Sequence, residues 1–219
     1  MNYEKKYVWS ILFRLSHWGF ALSIIFLAVT GFYIHNPWTN TMLEGSRSFP
    51  MADLRYMHFI AGFAFAASVL MRIFLYLFGS REERLVGPLP VTPANVKNLF
   101  STVTFYSYIT DKHEERLGHN ALAGIVYFVT WLIALLQIIS GFFMLYPESV
   151  TWQGWGIKFF GTQQEGRFIH YLIMWYFLIF ALTHIYMVVW NEVKSPEGLI
   201  SSIINGHKFK SKHDSSAKL

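Results

Sequence analysis

Four long apolar runs, separated by polar segments rich in proline and glycine, organise this 219-residue chain. The first extends from about Leu12 to Tyr33 and is interrupted only near its start, by Arg14 and His17. The second covers about Tyr56–Phe78, with His58 near its beginning and Arg72 near its end. The third covers about Ala121–Tyr146 and is closed by Pro147; the fourth covers about Phe168–Val193. Each is long enough for an α-helix to cross a hydrocarbon layer roughly 30 Å thick. The pattern predicts an all-α integral membrane protein, a four-transmembrane-helix bundle forming one domain over residues 1–219 without internal repeats. The first run is too long for a signal-peptide core and lacks a small-residue cleavage site, so it reads as an uncleaved anchor.

The connecting segments carry weaker signals. Ile34–Leu54 contains Asn36-Pro37, Gly45 and Pro50 and reads as a loop. In the polar stretch Gly79–Leu117, Thr92-Pro93 has the order of a helix cap and a first helical position. The apolar residues that follow, Val96, Leu99, Phe100, Val103, Tyr106 and Tyr108, predict a helix lying on the membrane surface. Ser149–Gly166, with Trp152, Gly154, Trp155 and Gly156, reads as an interfacial loop. Ser195-Pro196-Glu197 begins a short amphipathic helix over about residues 196–205, and residues 206–219 read as a mobile basic tail.

Composition agrees with the membrane class: 53% of residues are hydrophobic, 19% aromatic and only 14% charged. The chain has no cysteine, which excludes disulfides, thiolate-held iron–sulfur clusters and covalent c-type haem. Any iron–sulfur donor must therefore sit on another chain. The net charge of +5 comes from residues that flank the spans, so lipid headgroups account for it and nucleic acid does not. Of the 18 lysines and arginines, only Arg47, Arg55, Lys158 and Arg167 lie in the loops after the first and third spans. That bias puts both termini in the cytoplasm.

The fourth span holds His170 and His184, fourteen positions apart. On a helix this is a rise of about 21 Å and a rotation only ~40° short of four turns, so the two lie on nearly one face at different depths. With the topology above, His58 and His170 share the outer level, and His17 and His184 share the inner one. Paired imidazoles from facing helices suit low-spin haem iron, which takes two axial nitrogens. Zinc would require four ligands at each site, and the interiors of the spans hold no Asp or Glu. The candidate metal ligands are thus His17 and His184 for an inner haem iron, and His58 and His170 for an outer one. Gly31, fourteen residues after His17, falls at the outer level, and Gly62 lies one turn past His58. Both are placed either to let a porphyrin approach the backbone or to pack helices closely. Arg72, fourteen residues after His58, is placed either to pair with a haem propionate or to snorkel to the interface.

Arg14-Leu15-Ser16-His17-Trp18 continuing to Thr30-Gly31, and Arg167 with His170, Trp175, Phe177, Phe180 and His184, resemble the first- and fourth-helix motifs of one family. That family is the b-type cytochrome subunits of membrane-bound nickel–iron hydrogenases, within a group that includes formate dehydrogenase gamma subunits and bacterial cytochromes b561. Gly19, Phe168 and Tyr171 depart from its pattern. The resemblance implies an electron-transfer subunit with two haem b and the four histidines as axial ligands, the hydrogen chemistry residing on a partner chain. Electrons from the iron–sulfur clusters of a periplasmic nickel–iron hydrogenase, with its small and large subunits, would pass to menaquinone or ubiquinone. Glu115, Arg116, His119 and Asn120, before the third span, form either a quinone site or an ordinary interfacial cluster. A formate dehydrogenase gamma-type subunit and a stand-alone cytochrome b561 acting on quinone or superoxide remain alternatives, as does a non-redox transporter. A dimer within the complex stays open.

Overall fold

The four apolar runs fold as helices, three of them longer than the run and the third ending one residue short of it, at Leu145. The computed structural model describes residues 3–38, 49–84, 87–111, 116–194 and 197–211. In chain order its elements are β1 (Tyr3–Tyr7), α1 (Ile11–His35), α2 (Pro50–Phe78), α3 (Pro93–Tyr106) and α4 (Ala121–Leu145). α5 (Val150–Phe160), α6 (Gln163–Lys194), α7 (Leu199–Asn205) and β2 (His207–Ser211) follow. Helices α1, α2, α4 and α6 are long and apolar enough to cross a membrane. They present large apolar side chains outward, as Leu22, Ile25, Phe26 and Val29 of α1 illustrate, each more than half exposed.

Polar capping explains why two spans begin earlier than their apolar cores. Pro50 opens α2 at a position where its missing N–H costs nothing, and Asp53 lies in that first turn, where the helix dipole favours negative charge. At α6, Thr162 and Glu165 cap each other's backbone. The Thr162 N–H donates to Glu165 Oε2 (2.7 Å) and the Glu165 N–H donates to Thr162 Oγ1 (3.2 Å).

The chain forms two compact units. One comprises Ser16–Leu70 and Ala134–Phe177. Its packing includes stacked Phe20 and Phe65 (4.9 Å), both edge-on to Phe177, a buried core residue rather than a lipid-facing one. Here the expected interfacial loop is corrected: Val150–Phe160 is a helix, capped by Ser149, whose side chain accepts from the Trp152 N–H. Gly156 and Gly166 of this stretch serve packing. A Cβ on Gly156 would lie 1.9 Å from the Phe143 ring and one on Gly166 2.8 Å from it, and Phe143 is fully buried. Gln153 and Gln163 donate to the Phe143 carbonyl at 3.1 Å each, satisfying an orphan acceptor at the end of α4. Gly156→Ala overpacks this contact and is expected to cost about 1–3 kcal/mol, read as a lower apparent Tm in detergent.

The other unit comprises Met1–Leu15, Met71–Ile133 and Leu178–Leu219. Val8, Trp9, Phe13 and Leu75 form its buried apolar cluster. Thr92 caps α3 by accepting from the Asn95 N–H (3.2 Å), as its sequence predicts. The expected apolar face is outward, with Val96, Phe100 and Val103 exposed. The polar face makes the internal contacts. Asn95 Nδ2 donates to the carbonyls of Gly87 (2.9 Å) and Leu89 (2.6 Å), and Asn98 Oδ1 accepts from the Ala121 N–H (2.9 Å) at the start of α4. The Glu83 carboxylate accepts from the backbone N–H of Ser10 (2.7 Å) and Ser80 (3.0 Å). Burial pushes that carboxyl up, but the Ser10 and Ser80 hydrogen bonds outweigh burial and hold it below the usual range.

The expected tail needs a second correction. His207–Ser211 is a strand, antiparallel to β1, with Tyr3 opposite Ser211 and Tyr7 opposite His207. The Gly206 carbonyl accepts from the N–H of Val8 (2.8 Å) and Trp9 (3.1 Å), and Gly206 itself takes the left-handed φ of 83°. A basic composition reads as solvated tail, yet backbone pairing with β1 and the contacts of Lys208 order this stretch. Residues 212–219 lie outside the described residues.

Candidate functional site

Within the unit of Ser16–Leu70 and Ala134–Phe177, His58 of α2 and His170 of α6 come together, their ring centroids 6.4 Å apart and their planes inclined by 57°. Each Nδ1 meets a buried hydroxyl: Thr30 Oγ1 is 2.8 Å from His58 Nδ1, and Ser140 Oγ is 2.8 Å from His170 Nδ1. The nitrogen left on each ring for a metal is therefore Nε2. Beside each hydroxyl stands a glycine. A Cβ on Gly31 would lie 3.5 Å from His58 Cε1, and one on Gly141 3.5 Å from His170 Cε1. A Cβ on Gly62 would meet nothing within 4 Å, so that side of α2 is open beside the histidines.

This arrangement fits a haem. An ion held between two imidazole nitrogens at about 2.0–2.1 Å on opposite sides separates the ring centroids by roughly 6 Å. Among the described residues no group of three or more His, Asp or Glu is placed to hold a metal. Two facing imidazoles suit haem iron, which takes two nitrogen ligands from the protein.

His17 belongs to the same unit, on α1, half-buried and edge-on to Trp18 at 5.5 Å. His184 belongs to the other unit, where the Tyr127 hydroxyl lies 3.3 Å from its Nδ1 and the Phe180 ring stacks on it at 5.6 Å. In that unit His184 lines a cavity of about 120 Å³ together with Arg116, His119 and Asn120, three of the four residues that the sequence singles out before the third span. Glu115, the fourth, lies outside the described residues. His119 stacks on Trp9 at 4.8 Å and meets Tyr127 edge-on at 4.9 Å. Asn120 Oδ1 accepts from the Ala123 N–H (2.8 Å) and so caps α4, which leaves the amide nitrogen as its donor group.

Tyr106, Glu197 and Lys208 line the same cavity, and sequence reasoning missed all three. Glu197 and Lys208 form an ion pair (3.7 Å) with side chains only 10% and 4% exposed. Burial, and then the Glu197 charge, push the Tyr106 hydroxyl up, so it stays protonated as a donor.

Arg72 is buried in this unit, its Cζ 4.1 Å from the Tyr76 ring centre and 4.5 Å from that of Phe13. Nη1 makes no hydrogen bond among the described residues. A buried guanidinium held between ring faces with an N–H to offer suits an anionic oxygen, such as a propionate, and does not snorkel. Thr30, Ser140 and Gly141 were also missed. Their signal lay in two dipeptides, Thr30-Gly31 and Ser140-Gly141, in the first and third spans.

The family described as prokaryotic cytochrome b561 has a model that matches residues 8–206. The "Probable Ni/Fe-hydrogenase B-type cytochrome subunit" of Cupriavidus necator is 32% identical over 214 residues, covering 94% of this chain and 87% of the relative. The protein of that name from Azotobacter vinelandii is 32% identical, covering 93% and 88%. The "Probable Ni/Fe-hydrogenase 1 B-type cytochrome subunit" of Escherichia coli K12 is 29% identical, covering 95% and 94%.

Proposed function

We propose that this chain, which belongs to the prokaryotic cytochrome b561 family, is the dihaem subunit through which a periplasmic nickel–iron hydrogenase delivers electrons to membrane quinone. The observation that carries this reading is the His58–His170 pair, with its 6.4 Å ring separation and both Nδ1 atoms held by hydroxyls. The relatives' names support a hydrogenase partner, and because this chain has no cysteine any iron–sulfur donor sits on another chain.

In this proposal His58 and His170 hold one haem iron on the periplasmic side through Nε2, with Gly31 and Gly62 leaving room beside them. On the sequence argument of depth alone, His17 and His184 would be the ligands of a second toward the cytoplasm, where the lysine and arginine bias puts both termini. Haem bound at these positions supplies one-electron chemistry. Arg72 offers its buried guanidinium to a propionate, where pairing offsets the cost of burying the charge. The cavity beside His184 takes the quinone head. His119 and the Asn120 amide nitrogen donate to its carbonyl oxygens, and the Tyr106 hydroxyl and Glu197–Lys208 pair line the same pocket. Reducing one quinone takes two electrons and two protons, and uptake of those protons from the cytoplasm would charge the membrane.

The test is an absorbance difference spectrum of native membranes before and after hydrogen is added. Reduced b-type bands with about two haems per chain are expected. Bands that appear with formate or dithionite but not with hydrogen would discard the hydrogenase, and no bands under any reductant would discard the cytochrome. For the quinone cavity, Asn120→Ser keeps a helix cap and removes the amide donor. Quinone reduction is expected to slow by about tenfold while hydrogen still reduces the haems; an unchanged quinone rate would move the quinone elsewhere.

A further inference from the structure

The hydroxyls beside His58 and His170 have a second partner each, and proton counting then decides what they do. Thr30 Oγ1 donates to the Phe26 carbonyl of its own helix at 2.7 Å, and Ser140 Oγ donates to the Gln137 carbonyl at 2.9 Å. A hydroxyl has one proton and two lone pairs. With that proton directed at a helix carbonyl, each 2.8 Å contact to an imidazole Nδ1 requires the proton to come from the ring. This geometry assigns the hydrogen of both histidines to Nδ1 and leaves Nε2 bare. Thr30 and Ser140 are almost wholly buried, at 3% and 0% exposure, so water does not compete for these bonds.

The same device occurs twice, on different helices. Thr30-Gly31 of α1 serves His58 of α2, and Ser140-Gly141 of α4 serves His170 of α6. In each case the hydroxyl takes Nδ1 and the following glycine lies against Cε1 at 3.5 Å, measured to a Cβ built on it.

We propose that Thr30 and Ser140 are positioning residues that fix the tautomer of His58 and His170 and set the reduction potential of the haem these histidines hold. This rests on the haem assignment above. A ligating imidazole whose distal N–H is bonded to a carboxylate becomes a stronger electron donor to the metal and favours its oxidised state. A neutral hydroxyl, with its own proton already committed, is a weak acceptor. It orients the ring while leaving it a modest donor, which keeps that haem easily reduced. At this position an acceptor of electrons from an external partner needs that property.

The experiment uses the full chain, purified with its haem, and follows spectra while the ambient potential is stepped. In Ser140→Ala and Thr30→Val the midpoint of one b-type component is expected to rise and the other to stay fixed. Ser140→Asp, which places a carboxylate against Nδ1, should lower the same component. Thr30→Ser and Ser140→Thr should restore the wild-type value, a rescue that loss of packing alone would not produce. Haem retained with unchanged midpoints in both deletion variants would overturn the proposal. If the deletions shed that haem, the rescue variants decide: haem kept at the wild-type midpoint supports the proposal, and haem lost there overturns it. A wild-type chain that binds no haem at all refutes the cytochrome assignment itself, an outcome separable from the others.

Discussion

His170→Ala is expected to remove one of the two haems proposed above and leave the other, so that haem per chain falls to about half and reduction by hydrogen stops. The side chain sits where three groups converge: the His58 ring 6.4 Å away, the Ser140 hydroxyl on Nδ1, and Gly141 against Cε1. Alanine removes the nitrogen donor and leaves space that water or a neighbouring side chain fills poorly. One imidazole from His58 cannot hold a low-spin iron alone. The remaining haem, assigned to His17 and His184, should keep its dithionite-reduced band, because neither of those ligands is altered. Haem extraction as a pyridine adduct, compared with protein concentration, measures the loss. Full haem content in this variant would remove His170 from the ligand set, and with it the pairing on which the proposed electron route depends.

Lys208→Met is expected to cost about 3–5 kcal/mol, because it leaves the Glu197 carboxylate buried without its cation. Lys208 and Glu197 are 3% and 8% exposed as residues, and their charged atoms lie 3.7 Å apart. The lysine also donates to the Arg116 carbonyl (3.2 Å), and the Glu197 carbonyl accepts from the Phe209 N–H (2.8 Å). Loss of the ammonium thus removes the ion pair with Glu197 and the hydrogen bond to Arg116 together, leaving the Phe209 bond to hold β2. Combining Lys208→Met with Glu197→Leu should recover most of the stability, since a buried ion pair contributes less than breaking it costs. Thermal unfolding in detergent of both single variants and the double variant measures this cycle. Equal destabilisation in Lys208→Met and the double variant would show that the charge pairing is not what matters.

The first of these predictions was legible in the chain before any folding was considered; the second was not. The fourteen-residue spacings of His170 with His184 and of His58 with Arg72 follow from the helix period, which is local. Span lengths and the Thr92-Pro93 cap are local too, and the helices begin and end near where those signals put them. Misreadings came where local cues point two ways. Gly154 and Gly156 read as loop residues, yet Gly156 is the surface against which Phe143 packs, a partner thirteen residues away on another helix. His207–Ser211 read as part of a solvated basic tail, yet backbone pairing with Tyr3–Tyr7 orders this stretch.

The sequence by itself determined that this protein is four apolar helices carrying histidines at two depths, because hydrophobic periodicity and helix rise depend only on neighbours along the chain. Tertiary structure alone decided which hydroxyl meets which imidazole, that Arg72 lies buried between two rings, and that Glu197 and Lys208 close on the cavity of His119 and Asn120. Those contacts join residues far apart in the chain, as Thr30 with His58 or Arg116 with Lys208. Their formation depends on how helix faces pack, which no local pattern encodes.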